Sequence, residues 1–126
     1  MPGHQMRITE LLSKYAGDAP VYAGVKVVES RGVLLSDYVE GNGNAFSYTV
    51  STLENGDKIF SRSTILTQTS EGADGGRRSA FSAVTTLTGG TGKFMNIRGT
   101  LRGNGFTDLK SGLSGTVTEG EYWFTK

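Results

Sequence analysis

Few side chains in this 126-residue sequence are of types that could do chemistry, and none is a cysteine. The absence of cysteine excludes disulfides, thiolate nucleophiles and cysteine metal ligands. His4 is the single histidine and lies near the first residue, where chains are often mobile. A zinc site or a histidine-based triad is therefore not expected. The sequence predicts no metal and no cofactor.

Two acidic residues late in the sequence could work together as an acid–base pair. Glu119 and Glu121 are two positions apart, so on a strand they share a face with carboxylates about 7 Å apart. The alternative is a charged outer face. If the pair pointed inward, desolvation would raise the pKa of Glu121. Glu121 is thus one candidate catalytic residue.

Nucleotide, nucleic-acid and membrane binding are not expected. The segment Gly89–Lys93 resembles a phosphate-binding loop only superficially, because Leu87 and Phe94 occupy positions that require Gly and Ser or Thr. It fits a tight turn, with room for a short 3₁₀ element. Arg98 and Arg102 share a face with Phe106, but 13 basic and 12 acidic residues balance to +1.

No stretch approaches the roughly 18 consecutive apolar residues of a transmembrane helix. No signal peptide is recognisable either, which predicts a soluble protein. The compartment stays open: cytoplasmic, or exported if a leader has been removed.

Turn dipeptides separate stretches rich in Val, Ile, Thr, Tyr and Phe, which predicts a single all-β domain over residues 1–126. The predicted strands are 6–14, 20–29, 32–40, 45–54, 57–69, 78–88, 97–106 and 113–125, with turns at Asn42-Gly43, Asn55-Gly56, Asp74-Gly75 and Asn104-Gly105. Eight short strands predict a small closed antiparallel barrel. Residues 1–8 are a candidate mobile tail, and Thr9–Tyr15 fits a short helical turn as well as a strand.

The Asn55-Gly56 dipeptide predicts a two-residue type I′ hairpin in which Glu54 faces Asp57. This register places Tyr48 opposite Ser63, with its phenol inside the barrel as a second candidate catalytic or ligand-orienting residue. A buried phenol needs a hydrogen-bond partner, and Ser63 could simply satisfy it. The predicted ligand-binding residues are Phe46, Tyr48, Val50, Ser61, Ser63 and Ile65. Phe60 and Leu66 fall on the other face and suggest a contact between subunits of a homo-oligomer.

The segment Thr88–Phe94, followed by the glycine-spaced stretch Ile97–Gly103 and preceded by the hairpin Asn55–Phe60, resembles the allene oxide cyclase-like barrel superfamily. This superfamily also includes dirigent-like proteins and uncharacterised bacterial barrels. The resemblance covers residues 45–106 and implies an eight-stranded barrel with a central pocket, often in oligomers. Cyclase activity is not implied, because the chain lacks the family's pocket cysteine and has Ile65 where its pocket tyrosine aligns.

Three functions follow as expectations. The first is a barrel that binds a small apolar or amphipathic molecule in a central pocket. The second is a cofactor-free cyclase or isomerase that folds a reactive intermediate in that pocket. The third is a structural or interaction barrel whose interior is filled by side chains.

Overall fold

The computed structural model describes residues 3–15, 19–71, 76–108 and 114–126. These residues form strands β1 (His4–Lys14), β2 (Val21–Tyr22), β3 (Val25–Val39), β4 (Asn42–Leu53), β5 (Lys58–Glu71), β6 (Arg77–Gly90), β7 (Ile97–Asp108) and β8 (Ser114–Phe124), with one 3₁₀ turn at Gly92–Phe94. The predicted all-β class is confirmed. None of the described segments is a helix long and apolar enough to cross a membrane.

The strands form one antiparallel sheet in the order β1-β3-β4-β5-β6-β7-β8, with β2 attached to β3. In the described part of the chain β1 pairs only with β3 and β8 only with β7, so the sheet has two free edges. Seven strands that alternate in direction leave β1 and β8 running the same way. Joining them would require a parallel ladder, and the predicted closed antiparallel barrel is not confirmed.

Several predicted boundaries need correction. Thr9–Lys14 is strand rather than helix, and the predicted tail is already part of β1 from His4 onward. The two strands predicted at 20–29 and 32–40 are largely one long strand, β3, because Gly32 does not turn the chain. A side chain at Gly32 would collide with the carbonyl oxygen of Tyr48, so this glycine lets β3 and β4 approach.

Two of the predicted turns are also displaced. Asn42-Gly43 begins β4, and the preceding Glu40-Gly41 makes the turn with φ of 52° and 80°. Both values are positive, as a two-residue type I′ loop requires. Asn104-Gly105 lies inside β7, where the ring of Phe81 occupies the space that a side chain at Gly105 would need. The predicted turn at Asp74-Gly75 lies outside the described residues.

The β4–β5 hairpin uses a three-residue loop instead of the predicted two-residue one. The amide N–H of Leu53 donates to the carbonyl oxygen of Asp57 at 2.8 Å, and that of Gly56 donates to Leu53 at 2.9 Å. Gly56 has φ of 88°, whereas Asn55 does not adopt the positive φ that a type I′ turn demands. The glycine is left-handed, as in a hairpin that ends in a G1 bulge.

This loop shifts the register of the hairpin by one residue. Tyr48 lies opposite Arg62 and Phe46 opposite Thr64, while Ala45 pairs with Ile65 and Ser47 with Ser63. Because side chains alternate between the faces, the shift places the predicted inward residues of β4 and those of β5 on opposite faces of the sheet. The predicted inward orientation of Phe46, Tyr48 and Val50 is wrong. That of Ser61, Ser63 and Ile65 is confirmed.

We call the face that carries Ala45, Ser47 and Ser63 the inner face, since Ala45 is 0% exposed and Ser47 is 7% exposed. The opposite, outer face carries Phe46 at 51% and Tyr48 at 69% exposure. The hydrophobic core lies at one end of the inner face, where strands end and connections meet. Its fully buried members are Val27, Leu53, Ile59, Leu87, Phe94 and Ile97.

The core holds the β4–β5 turn against the connection between β6 and β7. The Thr91 amide N–H donates to the carbonyl oxygen of Lys58 at 2.9 Å, and the Lys58 amide N–H donates to the Thr91 hydroxyl at 3.0 Å. The carboxylate of Asp57 accepts the amide N–H of Lys93 at 3.2 Å. Leu53 and Ile59, which flank the turn, are both buried. The packing of these neighbours therefore favours the three-residue loop.

Replacing two adjacent residues of β4 with arginine tests the orientation of the sheet. Ala45→Arg places a charge in a buried site and should lower the free energy of unfolding by about 3 kcal/mol or more. Phe46→Arg leaves its charge in water on the single chain and should cost less than about 1 kcal/mol at protein concentrations too low for self-association. Urea denaturation of both variants and the wild type measures the difference. The reverse order would restore the register predicted from the sequence.

Candidate functional site

The six predicted ligand-binding residues do not form one site. Ser61, Ser63 and Ile65 lie on the inner face of β5, whereas Phe46, Tyr48 and Val50 lie on the outer face of β4. Tyr48 and Ser63 are not cross-strand partners, and the Tyr48 phenol makes no hydrogen bond within the described residues. Ser61 and Ser63 line the recess described next, whereas Ile65 lies on the same face outside it.

The inner face contains a recess of about 280 Å³ directly beside the core. Its floor includes Val27, and its walls come from β1, β3, β4, β5 and β6 together with the segment leading into β2. The lining residues are Leu11, Ser13, Tyr15, Pro20, Tyr22, Val27, Ser30, Arg31, Gly32, Thr49, Ser51, Ser61, Ser63 and Thr85. A volume of this size is just below the roughly 300–1,000 Å³ of small-molecule sites.

The polar lining of this inner recess consists of hydroxyl groups. The Ser63 and Thr85 oxygens share a hydrogen bond at 2.7 Å, and those of Ser30 and Ser51 share one at 3.0 Å. These two pairs connect β5 to β6 and β3 to β4. Each hydroxyl keeps further capacity to donate or accept, because a Ser or Thr oxygen offers one proton and two lone pairs.

Other hydroxyls that line the recess have no side-chain partner in the described part of the chain: Ser13, Thr49, Ser61 and Tyr22. Only one lining residue carries a charge. Arg31 reaches the rim from the outer face, is 70% exposed and holds its Nε 3.6 Å from the Glu29 carboxylate. The interior of the recess is therefore polar but uncharged.

Tyr22 lies in the short strand β2 and contacts strand β8 at the far end of the strand order. Its ring packs edge-on against Tyr122 of β8, with centroids 5.3 Å apart, and the Tyr122 hydroxyl accepts the amide N–H of Ala23 at 2.9 Å. The β2–β3 turn thus contacts β8, although β2 and β8 are not paired by backbone hydrogen bonds in the described part of the chain. Burial, with smaller contributions from Tyr15 and Tyr122, raises the pKa of Tyr22. At neutral pH the phenol is protonated and can donate a hydrogen bond.

The residues singled out for catalysis lie elsewhere. Glu121 is exposed and pairs with Thr100, and Glu119 pairs with Arg102, so both carboxylates project from the outer face. This is the charged-face alternative for the glutamate pair. Tyr48 projects from the outer face of β4, three strands away from β7. Tyr48 and Glu121 are therefore not close to each other, and neither of them lines the inner recess.

The other two motifs, the turn at Gly92–Phe94 and His4, make contacts that are typical of structural residues. Gly92–Phe94 is a 3₁₀ turn, as its sequence suggested, and Phe94 is buried in the core. The ring of His4 lies 2.7 Å from the Asp37 carboxylate on the adjacent strand. Among the described residues no three or more His, Asp or Glu side chains are grouped closely enough to hold a metal ion.

A larger hollow of about 820 Å³ lies on the outer face over β1, β3, β4 and β5. Its apolar lining includes Leu12, Val33, Tyr48, Val50 and Phe60. All five side chains are at least 36% exposed, so the hollow is a surface depression without buried polar groups. We define it as the outer hollow and distinguish it from the inner recess, which is the more enclosed setting for a small ligand.

Sequence reasoning missed Tyr22 and most of the hydroxyls of the recess. A signal for the hydroxyls exists, since Ser47, Thr49 and Ser51 alternate along β4 in the same way as Ser61 and Ser63 along β5. A two-residue turn would place the hydroxyls of β4 and those of β5 on opposite faces of the sheet, which hides this signal in the sequence. Tyr22 carries no local signal, because its role depends on Tyr122, which is 100 residues later in the chain.

No protein-family model, no curated protein and no solved structure matches this chain. Its function must accordingly be inferred from the chemistry of the recess.

The raised pKa of Tyr22 predicts a specific dependence of stability on pH. Because the folded state disfavours the phenolate, the contribution of Tyr22 is fully present below its unfolded pKa of 10.0 and is lost as the pH rises through the higher folded value. Denaturant unfolding between pH 8 and pH 11, a range of about three units around the normal tyrosine pKa, measures this. Tyr22→Phe should decline less steeply than the wild type above pH 10. Parallel curves would contradict the burial of the phenol.

Proposed function

We propose that this protein binds a small, uncharged, amphipathic molecule in the inner recess. The observation that carries the proposal is a recess whose polar groups are hydroxyls and whose floor is the apolar core. A ligand's apolar part would lie on Val27 and Leu11, and its polar group would meet the unpaired hydroxyls. Burying apolar surface supplies most of the affinity, and the hydroxyls fix the orientation.

The absence of charge inside the recess selects against ionic ligands. An ion that enters would lose its hydration without gaining a counter-ion, because the Arg31 guanidinium is outside and already close to Glu29. Desolvation of a neutral hydroxyl or carbonyl group costs less free energy, and one or two hydrogen bonds can compensate for that cost. Tyr22, Thr49 and Ser61 are placed to supply them.

The closed form of the barrel and its relation to the allene oxide cyclase-like superfamily belong to the same proposal. The contact of Tyr22 and Ala23 with Tyr122 supports a sheet that is rolled at the core end. The 3₁₀ turn at Gly92–Phe94, followed by the glycine-spaced strand β7, supports the superfamily relation. In the closed form β1 would approach β8 and cover the recess from the remaining side.

The cofactor-free enzyme is the weaker alternative. No carboxylate or histidine is among the described residues that line the recess, and the candidates Tyr48 and Glu121 project from the outer face. The recess offers shape, exclusion of water and neutral hydroxyls, which suffice for binding. A structural role with a filled interior is disfavoured by the volume that the side chains leave open.

Binding of 1-octanol, compared with octanoate of the same chain length, tests the proposal. Isothermal titration calorimetry should detect 1-octanol and show octanoate binding about tenfold more weakly or not at all. Ser61→Phe fills the recess and should abolish octanol binding. Thr64→Phe adds the same ring on the outer face of the same strand and is the matched control. Tyr22→Phe removes one hydrogen bond and should weaken binding about fivefold.

The two ligands also distinguish the two depressions. The outer hollow is lined by two cations, Arg31 and Arg62, and one anion, Glu10, so its net positive charge would favour octanoate over octanol. Preferential binding of octanoate, with loss of binding in Arg62→Glu but not in Ser61→Phe, would move the ligand to the outer face and refute the proposal. Equal, weak binding of both ligands by all variants would refute it as well.

A further inference from the structure

Large apolar side chains stand exposed on the outer face of β1, β3, β4 and β5, among them Met6, Ile8, Phe46 and Tyr48 at 51% to 77% exposure. The chain has 8,340 Å² of accessible surface, whereas a folded monomer of 13.4 kDa is expected to have about 6,500 Å². This excess of roughly 1,800 Å² belongs to the open sheet as a whole, of which the outer face is one part. A standard interface removes ~800 Å² from each partner, and an exposed apolar sheet face is a typical site for such a contact.

Two unpaired charges lie at the ends of one row of this face. Across the strands the row reads Glu10, Val33, Tyr48 and Arg62, each being the cross-strand neighbour of the next. Neither Glu10 nor Arg62 forms an ion pair within the described residues. They are three strand spacings apart, about 14 Å, which is too far for them to pair with each other.

This row is complementary to itself when it is reversed. A two-fold axis that runs along the strands between β3 and β4 places Glu10 opposite Arg62 of a second copy, and Val33 opposite Tyr48 of that copy. Both charges then gain a partner, and the apolar residues meet apolar residues. An axis across the strands at this level would place each charge opposite its own copy, which is repulsive.

In the neighbouring rows the same axis brings most of the apolar residues together, while Ile8 comes to face Thr64 and Asp37 comes to face Asn44. Leu12 comes to face Phe60 in one row, Leu35 faces Phe46 in the next, and Met6 faces Leu66 in the row beyond. These residues are between 38% and 67% exposed. Arg31 faces Val50, over which its aliphatic stem can pack while its guanidinium stays near Glu29.

We propose that the outer face of β1, β3, β4 and β5 binds a second copy of this chain in an isologous, sheet-on-sheet dimer, with reciprocal Glu10–Arg62 ion pairs. The two sheets pack in the aligned mode, about 10 Å apart. Tyr48, which is 69% exposed, enters the outer hollow of the partner above Val33. The inner recess of each copy stays open, so this proposal is independent of ligand binding.

Charge reversal and mixing test the pairing. Sedimentation equilibrium at micromolar concentration should give the wild type twice the 13.4 kDa mass of the chain. Glu10→Arg and Arg62→Glu each create two like-charge contacts per dimer and should raise the dissociation constant about tenfold or more. An equimolar mixture of the two variants should associate again. In the mixed dimer the arginine introduced at position 10 of one chain faces the glutamate introduced at position 62 of the other, and the two unaltered side chains also face each other.

Matched controls lie on the outer face of β7 and β8. Glu121→Arg and Arg102→Glu make the same charge changes on exposed residues outside the four rows and should leave the dimer intact. Tyr48→Ala, at an exposed site, should weaken association without lowering the thermal stability of the monomer. It provides a second measure if a charge variant fails to fold.

Three results would overturn the proposal. The first is a wild type that stays monomeric at micromolar concentration or forms a trimer. The second is a dimer that Glu10→Arg and Arg62→Glu leave as tight as the wild type. The third is a pair of folded single variants that do not associate when mixed.

Discussion

The hydrogen bonding of the Leu53–Asp57 turn determines which side of each central strand meets the core. Its three-residue loop, with a left-handed Gly56, fixes the β4–β5 register, and the neighbouring ladders continue this alternation of side chains except at the bulges at Val27/Glu29 and Phe60/Ser61. The turn is itself held by tertiary contacts. Asp57 accepts the Lys93 amide, and the flanking Leu53 and Ile59 are buried in one core cluster with Phe94. The conformation of the three-residue loop is thus also the one that buries Leu53 and Ile59 in the core.

The core occupies only one end of the inner face, and this determines the character of the rest. Directly beside the core the inner face carries small hydroxyl side chains, some of which bond to each other across strands, as Ser63 does with Thr85, whereas larger residues such as Leu34 and Phe81 follow farther along it. Such residues leave space because they are short, and they remain compatible with partial burial because their polar atoms are paired or reach a recess. The recess is a direct consequence of large residues at one end of the sheet and small ones beside it.

The outer face has the opposite composition. Long apolar side chains such as Tyr48 and Phe46 stand among isolated charges, and both remain largely exposed within the chain. An exposed face of this kind suits contact with another molecule better than contact with water. The two binding sites that we propose follow from the alternation of side chains along each strand. One face of the strands provides a polar, uncharged site, and the other provides an apolar surface with complementary charges.

The sequence by itself determined the all-β class, the approximate positions of most strands, the 3₁₀ turn after β6 and the inward orientation of Ser61, Ser63 and Ile65. These features depend on local composition and on the period of two along a strand. It did not determine the orientation of β4, because Asn55-Gly56 is compatible with two loop lengths, and they differ by one residue in register. The choice was made by Asp57 and the buried neighbours of the turn, which come from distant segments. The site at Tyr22 likewise required the tertiary structure, since residues 100 positions apart meet only when the sheet is rolled.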